Sequence, residues 1–247
     1  CVTGLIVENT ATQWTAFGKV VIIILIQIGG LGTMVFLSLV AMALNKRIGI
    51  TERRIIKEQT SADTSKGIIR LVIYIIKFSL TVELIGAILL ATKFIPDFGL
   101  ERGILFSIFH SISAFCNAGF DIIGNSLTDY VSDFTVNMTI SILIIFGGLG
   151  FTVFIDIYRK KRFKNLSLHS KVVISFTAML LLVGTLAFFL IEYRSPAMAG
   201  LSLKGKILSS FFMSVTSRTA GFNTIDIGKM QEGSVIVTIM LMFIGAS

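Results

Sequence analysis

Residues 20–45, 134–155 and 172–191 each run for twenty residues or more without one ionisable side chain. A helix needs roughly 20 apolar residues to cross the hydrocarbon core of a bilayer. Residues 71–92 have the length but carry Lys77 and Glu83, and 234–247 begin a further apolar run at the chain end. With 54% hydrophobic and only 15% charged residues in 247, the chain is too apolar for a soluble globule. The expectation is an all-α integral membrane protein with four full crossings and one partial. The chain opens on Cys1, without the Met, basic region and short apolar stretch of a cleavable signal, and closes on "FIGAS". A segment of a longer protein is therefore expected.

Charge gives the orientation, because Lys and Arg accumulate on the cytoplasmic side of membrane proteins. Residues 45–70 hold seven Lys or Arg against three acids, and 156–171 hold six against Asp156 alone. Residues 121–133 hold three acids and no base. The two basic connections are expected in the cytoplasm. This placement accounts for the net charge of +8 without a nucleic-acid partner.

Short strings recur along the chain. "FHSISAFCNAGF" (109–120) and "FFMSVTSRTAGF" (211–222) align at an offset of 102, sharing Phe109/Phe211 and Ala-Gly-Phe, with Ser113 and Thr216 matching only approximately. "CVTGL" (1–5) falls on "CNAGF", bringing Cys1 onto Cys116 and Gly4 onto Gly119. The following spans repeat as well: "IQIGGLGTMVFLSL" (26–39) resembles "IIFGGLGFTVFIDI" (144–157), and "MLMFIGAS" begins the pattern a third time. Each unit reads as span, half-crossing, glycine-bearing loop, span. The half-crossings, 103–115 and 205–217, are about 20 Å long if helical, too short for a core of about 30 Å. The chain must turn back inside the membrane.

Irregular backbone at membrane depth is tolerated only where protein buries it or a wet cavity takes its polar groups. Loops grouped around one axis, each with a Gly free to adopt unusual angles, can aim carbonyls at a dehydrated cation. These loops, "CVTGL", "FCNAGFD" and "TSRTAGFNTID", with "GGLG" and "FIGAS", resemble the filter loops and inner helices of the Trk/Ktr/HKT superfamily of potassium transporters, and closely those of its bacterial KtrB-type membrane subunits. The resemblance covers essentially the whole chain.

It implies a potassium-channel-like plan of repeated membrane-pore-membrane (M1-P-M2) units. One filter wall is formed by Val2, Thr3 and Gly4, a second by Asn117, Ala118 and Gly119, a third by Thr219, Ala220 and Gly221. The fourth wall has no match. Gly245, Ala246 and Ser247 match the start of an intramembrane gating loop. The units divide the chain into 1–44 (first repeat), 45–70 (cytoplasmic loop), 71–158 (second repeat), 159–171 (basic cytoplasmic loop) and 172–247 (third repeat, truncated at the gate). Also implied are potassium as the transported ion, potential-driven uptake with sodium as a companion or stimulant, a homodimer in the bacterial plasma membrane with filter loops outside, and a cytosolic nucleotide-binding ring of the KtrA type. No organic cofactor is expected.

Other residues keep more than one reading. Arg218 beside the third loop supports the filter as a clamp on Asp226 or on carbonyls, or else tunes the ion's approach; an idle buried Arg would be too unfavourable. Asp121 and Asp226 would add negative potential at the external mouth. Lys77 snorkels toward the cytoplasmic surface. Six residues separate it from Glu83, which makes a direct pair unfavourable and leaves Glu83 as a packing partner or a lining of the cation pathway. The glycines of the two "GGLG" strings read as helix-packing residues, since no strand precedes them to suggest a phosphate-binding turn. His110 and His169 lie on opposite sides of the membrane, so a shared metal is not expected, and with no reactive cluster neither is catalysis. The rival reading within transport is an alternating-access, cation-coupled carrier.

Overall fold

The computed structural model describes residues 10–30, 32 and 68–245. Among them the regular structure is helical. A single turn at Thr10–Gln13 leads into α1, Ala16–Gly30. α2, Ile68–Phe98, has 31 residues, about 46 Å at 1.5 Å per residue, and extends the expected span at both ends. Gly99, at φ +81°, stops it. The chain reverses at once into α3, Leu100–Phe115. The hairpin closes tightly because Gly103 has no side chain: a Cβ there would lie 2.6 Å from the Ile95 Cα.

α3 is about 24 Å long, shorter than a hydrocarbon core of about 30 Å. A loop then leads to α4, Phe134–Gly148, whose first turn is capped by Asp133 accepting from Val136 N–H at 3.0 Å. The expected crossing over 134–155 is bent within its length and has the length of a span only if the helices on both sides of the bend are taken together. α5, Phe151–Lys160, leaves α4 at 91°. The bend sits at Gly150, φ +79°, a conformation that L side chains resist. Its counterpart Gly32, φ +82°, likewise lies outside helix, its N–H donating to the Gly29 carbonyl at 3.1 Å. Residues 33–45, which complete the first expected span, lie outside the described residues.

α6, Leu168–Glu192, is the next long apolar helix. α7, Leu203–Thr216, is the second half-crossing, begun by Ser202 capping Gly205 N–H. α8, Glu232–Ile244, ends at Gly245, φ +67°. By length and composition two helices can each cross a membrane, within Val72–Phe98 and over Leu168–Glu192.

The core lies between the half-crossings and their partners. Phe94, Phe109, Phe115, Ile140, Phe212 and Phe222 form its centre, and a smaller cluster of Leu180, Phe188, Met213 and Leu241 joins α6, α7 and α8. Outward positions are apolar too: Leu84, Ile88, Leu182 and Leu186 are all exposed. Such large exposed apolar faces on soluble monomers mark contact with another apolar phase, here the bilayer.

Candidate functional site

Both half-crossings end in the same turn. After α3, Ala118 N–H donates to the Ser113 carbonyl (2.8 Å) and the Ser113 hydroxyl donates to the Phe120 carbonyl (2.9 Å). After α7, Ala220 N–H donates to the Thr216 carbonyl (3.0 Å) and the Thr216 hydroxyl to the Phe222 carbonyl (2.8 Å). The hydroxyl staples correspond once a one-residue gap is allowed in the offset of 102, which is why the strings aligned only approximately there. Asn117 (φ +52°), Gly119 (φ +68°) and Gly221 (φ +81°) supply the left-handed backbone that turns each loop back.

The two loops meet. A Cβ on Gly119 would fall 1.9 Å from the Ala220 carbonyl oxygen and 3.2 Å from the Gly221 Cα. No side chain fits between these backbones. Further out, Leu127 N–H donates to the Asn223 carbonyl, and Asn223 N–H to the Ser126 hydroxyl, each at 2.9 Å. The helix ends that deliver the loops are C-termini, where the peptide dipoles leave partial negative charge. Carbonyl-rich backbone at such a place suits a cation.

Below the second loop, Gly147 is the packing residue expected: its Cβ would lie 1.8 Å from the Phe115 carbonyl oxygen. Gly30 packs similarly against Cys116, at 2.3 Å from Sγ to a hypothetical Cβ, whereas Gly29 meets nothing within 4 Å. With its amide turned to suit its surroundings, Asn117 donates to the Ile144 carbonyl (3.2 Å) and accepts from Gly148 N–H (3.1 Å). The loop is thereby tied to the last turn of α4, just before the bend. Glu83, 4% exposed, accepts from the Gln27 amide at 3.0 Å, and its main-chain carbonyl takes the Ser111 hydroxyl at 2.6 Å. It joins α1 to α2 and α3 as a packing partner, and Lys77 is not its partner.

Beyond the two loops an open cavity of about 740 Å³ is lined by Gly119, Asp121, Ser126, Gly221, Asn223 and Asp226 among others. Asp121, expected to add negative potential at the mouth, lines this cavity and is turned into its own loop. One of its oxygens accepts from Ile123 N–H (2.8 Å) and His110 Nε2 (2.9 Å), the other from Gly124 and Ser126 N–H (2.7 and 2.9 Å). Burial works against its charge, but His110 and these N–H groups outweigh it and hold the carboxyl below the usual range. His110 is fully buried, with its Nδ1 2.7 Å from the Phe106 carbonyl.

Of the two partners expected for an Arg218 clamp, Asp226 is not the one observed. Asp226 stands at the cavity rim, paired with Lys229 at 3.1 Å and capping Gly228 N–H. Arg218 points the other way, Nε donating to the Gly245 carbonyl (3.3 Å) and Nη2 to the Thr177 hydroxyl (3.5 Å). The carbonyl alternative is the one observed. Val2, Thr3 and Gly4, and Ala246 and Ser247, lie outside the described residues. Sequence reasoning did not find the Asn117 tie, the Gln27–Glu83 link or the role of His110; only the recurring "GGLG" signalled the bend.

A family profile described as "TrkH: Cation transport protein" matches residues 1–247. The chain is 47% identical over 246 residues to the Ktr system potassium uptake protein B of Bacillus subtilis, covering 99% of this chain and 55% of that protein. It is 43% identical over 247 residues to the potassium/sodium uptake protein NtpJ of Enterococcus hirae, covering 100% and 55%. Identity to the Ktr system potassium uptake protein B of Vibrio alginolyticus is 39% over 248 residues, covering 99% and 54%. The chain thus spans about half the length of the curated relatives it matches. All three are named as uptake proteins rather than enzymes.

Proposed function

Because this chain belongs to the TrkH family of cation transport proteins, we propose that it forms part of a membrane pore that takes up potassium through a selectivity filter of backbone carbonyls. The walls are Val2–Gly4, Asn117–Gly119 and Thr219–Gly221, contributed by three successive membrane-pore-membrane units within 1–44, 71–158 and 172–247. The observation that carries this reading is the approach of Gly119 to the Ala220 carbonyl, two left-handed turns meeting at the ends of two half-crossing helices. A ring of such carbonyls replaces the hydration shell of a cation, and the membrane potential drives it inward.

Gly245, Ala246 and Ser247 begin the gate. The Arg218 bond to the Gly245 carbonyl supports that role, since it links the residue beside the third wall to the start of the gating loop. The filter loops face outward and the basic connections the cytoplasm. The whole protein is a homodimer regulated by a cytosolic nucleotide-binding ring, a partner consistent with a relative whose name assigns it to a Ktr system. Sodium accompanies or stimulates uptake, as the relative named for potassium/sodium uptake suggests.

The test is rubidium and sodium uptake into liposomes containing the full-length parent protein, wild type against Gly119→Ser. Saturable rubidium uptake that the substitution opens to sodium is the expected result. Unchanged discrimination would remove the filter assignment, and absence of any voltage-driven flux would favour alternating access.

A further inference from the structure

The bend at Gly150 creates a surface that the pore does not use. α5 leaves α4 at 91°, so the chain turns aside at the bend instead of continuing along the axis of α4. Phe154 stacks on Phe78 and Phe146 (ring centroids 4.9 and 5.3 Å), and Tyr158 meets Tyr74 (5.9 Å). These partners lie in the first half of α2 and the last turns of α4, while α6 starts eight residues after α5 ends. α5 therefore sits at the level where the apolar spans emerge.

Asp156 fixes it there, accepting from Lys160 and from Ser167 N–H at the cap of α6 (2.8 and 2.7 Å). The Lys160 bond and then the Ser167 N–H hold its carboxyl well below the usual range. The acid is consequently spent inside the element. Arg159, Lys161, Arg162 and Lys164 are all exposed, and no other acid occurs between 151 and 171. Interleaved with them are the exposed apolar side chains of Tyr158 (67%), Phe163 (54%) and Leu168 (79%). Basic and apolar groups that alternate from the end of α5 through the turn to the start of α6, where the apolar spans emerge, match one environment: headgroup phosphates above acyl chains.

We infer that α5 and the turn after it, residues 151–168, are an interfacial anchor that gathers anionic phospholipids through Arg159, Lys161, Arg162 and Lys164 while Tyr158, Phe163 and Leu168 enter the acyl region. A soluble acidic partner would also meet the charges, but the exposed rings and Leu168 favour lipid. The surface would bind lipid whether or not the loops conduct ions, so its test is independent of uptake.

The full-length parent protein is placed in phosphatidylcholine vesicles containing a minor fraction of phosphatidylglycerol, with Tyr158→Trp as a fluorescent probe. Bromine is carried either by the phosphatidylglycerol or by an equal fraction of the phosphatidylcholine, and signal from other tryptophans is subtracted using protein without the probe. Quenching by the brominated anionic lipid should exceed that by the zwitterionic one about two-fold or more, as expected for a cluster of basic groups at an anionic surface. The excess should vanish in R159Q/K161Q/R162Q/K164Q and survive in K161R/K164R. Residual quenching by brominated phosphatidylcholine in the neutralised protein checks that α5 is still seated. Equal quenching by the two lipids, or an excess indifferent to the charges, would overturn the inference. Loss of retention of a soluble partner in the neutralised protein, with equal lipid quenching, would give the surface to that partner instead.

Discussion

The offset of 102 brings Cys116 onto Arg218 and Asp121 onto Asn223, so the two loops share a backbone turn on different supports. Under the second loop, Cys116 is buried against Gly30 of α1, and Asp121 beyond the glycine gathers the next residues and His110 around itself. Under the third, Arg218 reaches past the loop to Gly245 and Thr177, and Asn223 leans through its main chain on Ser126 and Leu127 of the second. One loop is held from within and packed from below. The other borrows its outer support from its neighbour and is connected below to the break after α8. On the proposed function, this would be a rigid wall beside a wall joined to the gate.

A graded set of substitutions would break or sharpen that comparison. The largest effect is expected from Gly119→Ala, which places a methyl against the Ala220 carbonyl and strains a φ of +68°. Both loops are then displaced, and rubidium-over-sodium discrimination should fall about tenfold or more, as a loss of roughly 1–3 kcal/mol of geometry implies. Counterflow assays on the reconstituted parent protein would read it.

Next comes Asp121→Ala, which leaves His110 buried without its partner and frees three N–H groups, a loss of about 3 kcal/mol by analogy with other broken buried pairs. Thermal unfolding in detergent should register it, while Asp226→Ala at the exposed rim should leave the midpoint unmoved. The advantage of wild type over Asp121→Asn should also depend on pH. The folded carboxyl is held below its unfolded value of about 3.9, so the stabilisation is complete above about pH 4 and fades as pH falls through the lower folded value. A difference that failed to shrink as pH falls below about 4 would contradict the inward-turned acid.

Arg218→Gln should be milder in stability, about 1–2 kcal/mol for two long charged hydrogen bonds, but visible as a raised resting leak with discrimination retained. Loss of discrimination without leak would move Arg218 from the gate side of the comparison to the filter. The smallest effect, about 1 kcal/mol for one hydroxyl bond, is expected from Thr216→Val or Ser113→Ala. If one loop is self-supported and the other is not, Thr216→Val should affect flux more than Ser113→Ala.

Much of the fold was legible because membranes impose a simple rule on sequence. Charge-free runs marked α1, α4, α6 and α8, and lengths of about 13 residues marked α3 and α7 as too short to cross. The paired Ala-Gly-Phe strings located both loops. Where the reading failed, the cause was shared chemistry: the "GGLG" glycines suit close packing and a broken helix equally well, and Gly147 does one while Gly150 does the other. Asp121 and Asp226 look alike in sequence, each a few residues beyond a glycine. One is 12% exposed and the other 55%, because only the first has a histidine on its own half-crossing to turn toward.

Sequence alone determined the solvent, the repeated order of helix, half-helix and loop, and the identity of the turning glycines, since hydrophobic length, charge and φ freedom are properties of residues. Tertiary structure decided which backbone the glycines face, where Arg218 points, and that α5 turns 91° away from α4. Those depend on residues far apart in the chain meeting in one place, as Asn223 meets Ser126 and Gln27 meets Glu83 across two elements. No local property of a residue carries that information, because the hydrogen bonds that fix each direction exist only after the helices have packed.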